Sequence, residues 1–171
     1  MRVVIWVLAF VLAVAAALVL AAVLLPRERI AETVIEFDAA PTEVFSVYTD
    51  PLSQPRWRGG VESVEMIRTE FPRAWIERPR RGPAIAFEEV EAVPNERYVL
   101  DLRAEGMFTG RYEATFETIE NGRTRGTFRE QATASNPIAS LMSRVFVNLE
   151  REIRTYAEEA SAEIERRRAS D

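Results

Sequence analysis

Residues 3–25 form an uninterrupted apolar run without a charged residue, a Pro or a Gly. As a helix, this run would extend about 35 Å at ~1.5 Å per residue, enough to cross a hydrocarbon core of ~30 Å. Trp6 lies near one end, where an amphipathic ring favours the membrane interface. Pro26 ends the run. The sequence therefore predicts a single-pass transmembrane anchor in residues 1–26, with membrane contact through residues 3–25.

A cleaved signal peptide is the alternative interpretation of this run. Its apolar region would normally span ~7–15 residues and precede small residues at a cleavage site. This run is longer and ends in Val23-Leu24-Leu25-Pro26, a poor cleavage site, so we favour the anchor. Arg2 on one flank nearly balances Arg27 and Arg29 on the other, which leaves the side of the membrane open. The short basic N-terminal flank favours a domain outside the cytoplasm.

The amino-acid composition narrows the chemistry of the remaining chain. The net charge of −5 over 171 residues argues against nucleic-acid binding. All 22 basic residues are Arg, which excludes a lysine Schiff base. The chain has no Cys and no His, which removes thiol nucleophiles, thiolate metal sites and a Ser-His-Asp triad. We expect no metal, no cofactor and no assigned catalytic residue, and only carboxylate, Tyr, Arg and hydroxyl chemistry remains.

The order of apolar patterns predicts one α+β domain in residues 29–168. A period-two strand that ends before Asp38 is followed by two short helices, which begin at Pro41 and at Asp50-Pro51 with Asp50 as N-cap. The strand-like runs after these helices cover residues 61–68, 73–78, 84–93, 97–104, 107–119 and 123–134.

The last two strand-like runs are separated by Asn121-Gly122, a dipeptide typical of β-hairpins. From Asn136-Pro137 to Ile164, apolar residues recur at steps of three and four, which predicts one long amphipathic helix. A curved antiparallel sheet of about six or seven strands, wrapped on this C-terminal helix, would bury every apolar face.

Four short sequences carry a family resemblance. They are FDAAPTEVF at 37–45, TDP at 49–51 with PRW at 55–57, FTGRY at 108–112 and GRTR at 122–125. In this order they resemble the helix-grip or SRPBCC superfamily. That superfamily includes the birch-pollen-allergen fold, START lipid-transfer domains and polyketide cyclase/dehydrase-like proteins. The resemblance covers the chain from residue 29 to about residue 167.

The resemblance implies a large apolar cavity between the sheet and the long helix, able to hold a lipid, sterol, polyketide or similar molecule. An ordinary core would use the same apolar residues equally well, so both interpretations stay open. The residues expected to line this space and bind a ligand are Trp57, Met66, Ile76, Phe87, Tyr98, Leu100, Leu102, Phe108, Tyr112, Phe116, Met142, Val145, Phe146 and Leu149.

Three functions remain open, because the fold alone does not choose among them. The first, which we favour, is a membrane-anchored protein that binds or transfers a hydrophobic small molecule or lipid. The second is a cyclase/dehydratase-type enzyme in which Tyr112 orients the ligand and Glu130 acts as acid or base. The third is a non-catalytic membrane interaction protein. The structural alternatives are a Tyr112 hydroxyl at the rim and a Glu130 carboxylate paired with Arg.

A loop rich in Arg, Gly and Pro contains Arg78, Arg80 and Arg81. Basic side chains can contact anionic lipid headgroups. A plain solvated turn is the interpretation that we favour for this loop.

Overall fold

The computed structural model describes residues 2–170, with side chains described for residues 4–14, 16, 20 and 24–170. Its first element is the helix α1 (Arg2–Leu24). Large apolar side chains described on α1, such as Trp6 and Phe10, are exposed.

The transmembrane anchor predicted in residues 1–26 is not supported by the structure. Among the described residues, no helix combines the length and the apolar character that crossing a membrane requires. Part of the predicted anchor, namely Met1 and the side chains of residues 2, 3, 15, 17–19 and 21–23, lies outside what the structure describes.

The elements after α1 follow the predicted order of strand, short helices, strands and C-terminal helix. Their bounds are β1 (Glu28–Phe37), α2 (Pro41–Tyr48), a 3-10 turn (Pro51–Ser53), α3 (Gln54–Trp57), β2 (Val61–Arg68), β3 (Ala74–Pro79), β4 (Ile85–Val93), β5 (Arg97–Ala104), β6 (Phe108–Thr118), β7 (Thr124–Ala134), α4 (Pro137–Phe146) and α5 (Leu149–Arg168).

The strands form one antiparallel sheet of seven strands in the order β1-β7-β6-β5-β4-β3-β2. The first strand of the chain therefore pairs with the last, which brings the N-terminal end of the domain beside its C-terminal helices. Alternation along β6 follows the predicted faces, because Tyr112, Ala114 and Phe116 are buried while Arg111 and Glu117 are exposed. The predicted α+β helix-grip architecture is confirmed.

The turn between β6 and β7 contains the predicted hairpin dipeptide. Asn121 and Gly122 both have positive φ angles, 62° and 72°. Gly adopts such angles without steric cost and Asn tolerates them better than most residues, which explains why these two residues stand here.

The core lies between the concave face of the sheet and α5. The helix packs chiefly against β1 and α2, and its buried stripe includes Ile153, Ala157 and Ile164. Tyr48 of α2 fills the centre, with its ring 4.8 Å from that of Tyr156 and 5.2 Å from that of Phe128. Stacked aromatic rings at these separations add to the stability that burial provides.

The predicted long C-terminal helix is present as α5, but its predicted start at Asn136-Pro137 is wrong, because the chain leaves the helical conformation between α4 and α5. Val147 has the extended angles φ −121° and ψ 121°. The Asn148 side chain then accepts a hydrogen bond from the Arg151 backbone N–H at 3.1 Å. This N-cap starts a new helix. The apolar residues keep their spacing of three and four across the break, so their periodicity does not show that the chain changes direction.

The short helices differ from the prediction in one detail. In the first turn of α2, the Glu43 side chain accepts a hydrogen bond from the Ala40 backbone N–H at 2.9 Å, as an early acidic residue can do. Asp50 makes no side-chain cap and instead lies 3.4 Å from the Arg167 guanidinium, so its predicted N-cap role is wrong.

Candidate functional site

One row of inward-facing residues crosses the concave face of the sheet from β2 to β7. Within this row the rings of Trp75 and Phe87 stack at 5.3 Å and are nearly parallel, at 4°. The members, each opposite the next in register, are Met66 on β2, Trp75 on β3, Phe87 on β4, Leu102 on β5, Gly110 on β6 and Ala132 on β7.

Part of this face is incompletely covered by the helices. Five apolar side chains pack against the buried core and yet stay half-buried, and they form what we term the open concave face. They are Met66, Ile85, Phe87, Phe108 and Ala132. Apolar surface that is continuous with a core and still accessible is the usual lining of a small-molecule site.

Trp75 contributes an unsatisfied donor to this region. Its side chain is buried at 2% exposure, and its indole Nε1 has no hydrogen-bond partner among the described residues. Buried donors in folded proteins are nearly always paired, so an unpaired one indicates a missing acceptor.

Tyr112 and Glu130 stand side by side next to the open concave face. They are opposite each other in the β6–β7 register. Burial raises the pKa of Glu130 to about 7, assisted by the nearby Glu152 and opposed by Arg29 and Arg58. Burial also raises the pKa of Tyr112 well above its ordinary value of 10.0. Near neutral pH, Glu130 can therefore gain or lose a proton, while Tyr112 is a hydrogen-bond donor.

A guanidinium group lies inside the domain beside these residues. Arg58 Nη1 donates to Gln54 Oε1 and to Glu77 Oε2, each at 2.7 Å. The guanidinium carbon lies 4.3 Å from the centre of the Tyr156 ring, which is a cation–π contact. Burial works to lower the pKa of Arg58, but the charge and hydrogen bond of Glu77, together with Tyr156 and Glu159, outweigh it and raise the pKa, so the group stays cationic.

Sequence reasoning missed this cation. Arg58 follows the last residue of a short helix, and Glu77 lies in a strand with other charged residues. The sequence around each of them is therefore like that around an exposed charged residue. The neighbouring Trp57 is buried at the end of α3. A large apolar neighbour does not, however, predict a buried ion pair.

Tyr98, a predicted ligand-binding residue, has its hydroxyl engaged within the protein. The Tyr98 Oη donates to Glu89 Oε1 at 2.8 Å, and Arg73 Nε donates to Glu89 Oε2 at 2.9 Å. This Arg73–Glu89–Tyr98 group ties the residue just before β3 to β4 and β5.

Most of the residues predicted to line the cavity do face the core. Leu149 stands at the start of α5, and the others lie on α3 or on the concave face. They are Trp57, Met66, Phe87, Tyr98, Leu100, Leu102, Phe108, Tyr112, Phe116 and Leu149. Whether they touch a ligand stays a prediction.

The placement of Ile76 on the concave face is wrong. Trp75 precedes it and points into the core, and successive residues of a strand point to opposite faces. Ile76 instead lines a groove of about 880 Å³ on the outer face, together with Glu88 and Arg111.

The placement of Met142, Val145 and Phe146 over the sheet is also wrong. They belong to α4, and they are 46%, 65% and 72% exposed. The break after Phe146 lets α4 take its own direction, so its apolar face does not continue the buried stripe of α5.

Metal binding and lipid contact by the basic loop gain no support from the geometry. No cluster of acidic side chains suited to a metal ion occurs within the described part of the chain. In the loop, Arg80 Nε donates to the Gly59 carbonyl at 3.0 Å, and Arg78 Nη2 lies 3.2 Å from Glu65 Oε2.

Comparison with known families agrees with this geometry. Residues 28–164 match the family described as polyketide cyclase / dehydrase and lipid transport. The chain belongs to this family. No curated protein matches its sequence. The match begins at β1 and ends within α5. This polyketide cyclase / dehydrase and lipid transport domain therefore contains the whole sheet and most of the helix that packs against it.

Solved structures share the fold of this family member at low sequence identity. The Zhui aromatase/cyclase from Streptomyces sp. R1128 is 16% identical with a TM-score of 0.71, over 82% of this chain and 95% of that chain. A START superfamily protein from Mycobacterium smegmatis is 9% identical with a TM-score of 0.65, over 80% and 97%. Truncated norcoclaurine synthase from Thalictrum flavum is 9% identical with a TM-score of 0.65, over 78% and 91%.

Proposed function

We propose that the domain binds a hydrophobic small molecule, such as a lipid or a polyketide-like compound, against the open concave face. The observation that carries this proposal is the set of half-buried apolar side chains that continue the core, including Phe87 and Phe108. The family description and the similarity to an aromatase/cyclase and to a START superfamily protein support the same class of ligand.

Polar groups at the edge of this face would orient the ligand. The Trp75 indole N–H and the Tyr112 hydroxyl are the available donors, and Glu130 offers a carboxyl group of changeable charge. A few polar atoms in an apolar lining give orientation and specificity, while apolar burial gives most of the affinity. An apolar molecule that carries carbonyl or hydroxyl oxygens fits this combination.

The test places a bulky side chain on the open concave face. Ala132 is half-buried on the inner face, and the next residue, Thr133, is exposed on the outer face. We expect Ala132→Trp to abolish uptake of a fluorescent fatty acid or of 8-anilinonaphthalene sulfonate, whereas Thr133→Trp, the matched control, should bind as the unchanged chain does. Native mass spectrometry should show co-purified lipid in all but Ala132→Trp. Equal binding by both variants, or no uptake by the unchanged chain, would contradict the proposal.

A second candidate function is cyclase/dehydratase-type catalysis, and the direct pairing of Tyr112 with Glu130 favours it. Ionised Glu130 would remove a proton from the carbon next to a substrate carbonyl. The Tyr112 hydroxyl would donate a hydrogen bond to the enolate oxygen that forms. The enolate carbon would then attack a second carbonyl of the same substrate, and the oxygen of that carbonyl would take the proton back from Glu130. A pKa near the working pH suits Glu130 to this proton transfer.

Proton exchange separates catalysis from simple binding. The unchanged chain in deuterated water should accelerate exchange of the protons between the carbonyls of an apolar 1,3-diketone, followed by NMR. Glu130→Gln should remove the acceleration, and Tyr112→Phe should reduce it by ~100–1,000-fold, as expected for a single hydrogen bond to a developing oxyanion. Binding of the diketone without any acceleration of exchange would leave ligand binding as the function.

Membrane attachment through the N-terminal run is also a proposal, and it rests on the sequence. Residues 3–25 carry no charge, and the apolar side chains described on α1 are exposed. We propose that α1 attaches the domain to a lipid membrane, with the domain outside the cytoplasm. Recovery of the chain with membranes after alkaline extraction, and cleavage of the domain by protease added to only one side, would test attachment and side. A chain that is released by alkali is not attached in this way.

A further inference from the structure

The helix α4 has its apolar face turned outward. Ile138, Met142, Val145 and Phe146 lie at steps of four, three and one residues and share one side of the helix, and each is exposed. The opposite side, with Ala139 and Ser140, is buried against the domain. A helix on the surface of a protein in water normally shows the reverse arrangement. We term the four exposed residues the α4 apolar face.

Hydrogen bonds fix α4 to the point where α1 joins the domain. Ser140 Oγ and Arg144 Nη2 donate to the Pro26 carbonyl at 3.2 and 2.8 Å. Arg29 Nη1 donates to the Ser143 and Val147 carbonyls at 2.8 and 3.0 Å. The α4 apolar face is therefore held beside the end of α1, and the two helices are in contact.

The charge of this end of the molecule differs from that of the whole chain. No acidic residue occurs before Glu28 or between Glu130 and Glu150, whereas the chain as a whole has a net charge of −5. The charged residues within these two segments are Arg2, Arg27 and Arg144. Apolar side chains in segments whose only charges are Arg match the acyl region and the anionic headgroups of a leaflet.

We propose that the α4 apolar face lies in the surface of a lipid bilayer, next to the end of α1. This inference rests on the proposed membrane attachment by α1 and adds a second contact to it. A bilayer accounts for three observations together: the outward apolar stripe, its fixation to the end of α1, and the lack of acidic residues within the two segments that contain these helices. With α4 in the lipid surface, the domain keeps one orientation relative to the bilayer.

The absence of Cys from the chain allows a direct test with single labels. Met142→Cys and Phe146→Cys place a probe on the α4 apolar face, and Glu158→Cys places the matched control on an exposed position of α5. Each full-length chain carries an environment-sensitive fluorophore and is reconstituted into phosphatidylcholine–phosphatidylglycerol vesicles, with and without lipids that bear a quencher in the acyl chain.

We expect vesicle flotation of all three chains, with several-fold stronger quenching at positions 142 and 146 than at 158. Flotation with equal quenching at all positions would overturn the α4 contact and leave the attachment by α1 intact. A chain that does not float would overturn the attachment itself. A different result would be that the probes at 142 and 146 are shielded from water but not quenched by lipid, and that the chain cross-links as a dimer. This result would assign the α4 apolar face to contact with a second copy and overturn the proposal.

Discussion

Tyr112 and Glu130 stand directly opposite each other in the register of β6 and β7. Tyr112 is buried at 6% exposure and Glu130 is half-buried. Taking the charged form of a carboxyl group out of water costs stability. The pair therefore has consequences for folding that can be measured before any ligand is known.

The first prediction concerns the pH dependence of stability. Burial raises the pKa of Glu130 from its ordinary 4.5 to about 7. The folded state therefore binds the Glu130 proton more tightly than the unfolded state does. The contribution of Glu130 to stability is greatest below about pH 4.5, and it is lost as pH rises through about 7. Glu130→Gln should raise the free energy of unfolding near pH 8 by about 1–2 kcal/mol and change it little near pH 4.

Chemical unfolding of the full chain in a mild detergent, at both pH values, checks this prediction. The matched control is Glu117→Gln on β6, where the side chain is exposed. Its effect should be small, because the side chain is exposed. If Glu130→Gln lowered stability near pH 8, the carboxylate would have a stabilising partner that the geometry does not contain.

The second prediction concerns the buried group of Arg73, Glu89 and Tyr98. Burial works to raise the pKa of Glu89, but hydrogen bonds from Arg73 and Tyr98 outweigh it and leave the pKa below 4.5. Glu89→Gln removes the counter-charge of a partly buried guanidinium, which should cost about 3 kcal/mol. Tyr98→Phe should cost about 1 kcal/mol, since it removes one hydrogen bond.

Urea unfolding near neutral pH measures both changes. Glu88→Gln is the control, because the Arg68–Glu88 ion pair is exposed on both sides and should contribute less than about 1 kcal/mol. The contribution of Glu89 should also disappear in acid, as pH falls below about 4.5 and the carboxylate gains a proton. Equal costs for Glu88→Gln and Glu89→Gln would show that the buried pair has no special role.

The alternation of apolar and polar residues was sufficient to predict the long strands. On β5 and β6, Leu100, Tyr112 and Phe116 face inward as expected, because a run of eight or more residues leaves only one consistent assignment of faces. On β3, which has six residues, Trp75 and Ile76 are both apolar and either could have faced the core. Their assignment depends on pairing with Phe87 of β4, which one sequence does not specify.

The polar interior of the site could not be predicted from the sequence. Arg58, Glu77 and Glu89 are charged residue types that usually lie at the surface, and their burial depends on partners 9 to 19 positions away. The outward apolar face of α4 escaped prediction for a related reason. A periodic apolar stripe shows that one side of a helix is apolar, but it does not show which way that side points.

The third prediction concerns the break between α4 and α5. Asn148 caps α5 through its hydrogen bond with the Arg151 N–H, so Asn148→Ala should lower the free energy of unfolding by about 1 kcal/mol. Asn148→Asp keeps the acceptor and should preserve stability. Unfolding curves and circular dichroism together check this prediction. A rise in helix content with unchanged stability in Asn148→Ala would mean that α4 and α5 readily form one helix.

The fourth prediction concerns Gly110, which lies in the middle of the row across the concave face. A Cβ at this position would stand 2.6 Å from the Gln131 carbonyl oxygen and 3.3 Å from Leu102 Cδ1. The first contact is with backbone, which cannot move aside without disturbing the β6–β7 pairing. Gly110→Ala should therefore lower the free energy of unfolding by about 1–3 kcal/mol.

Gly60→Ala is the matched control for Gly110→Ala, because a Cβ at Gly60 meets no atom within 4 Å and the residue has an ordinary φ angle. It should change stability by less than about 0.5 kcal/mol.

Both variants are compared by chemical unfolding, and by ligand uptake at a temperature where both are folded. Because the displaced backbone belongs to the strands of Tyr112 and Glu130, Gly110→Ala should weaken uptake as well. Full stability and full uptake in Gly110→Ala would show that β6 and β7 can separate at this point without cost.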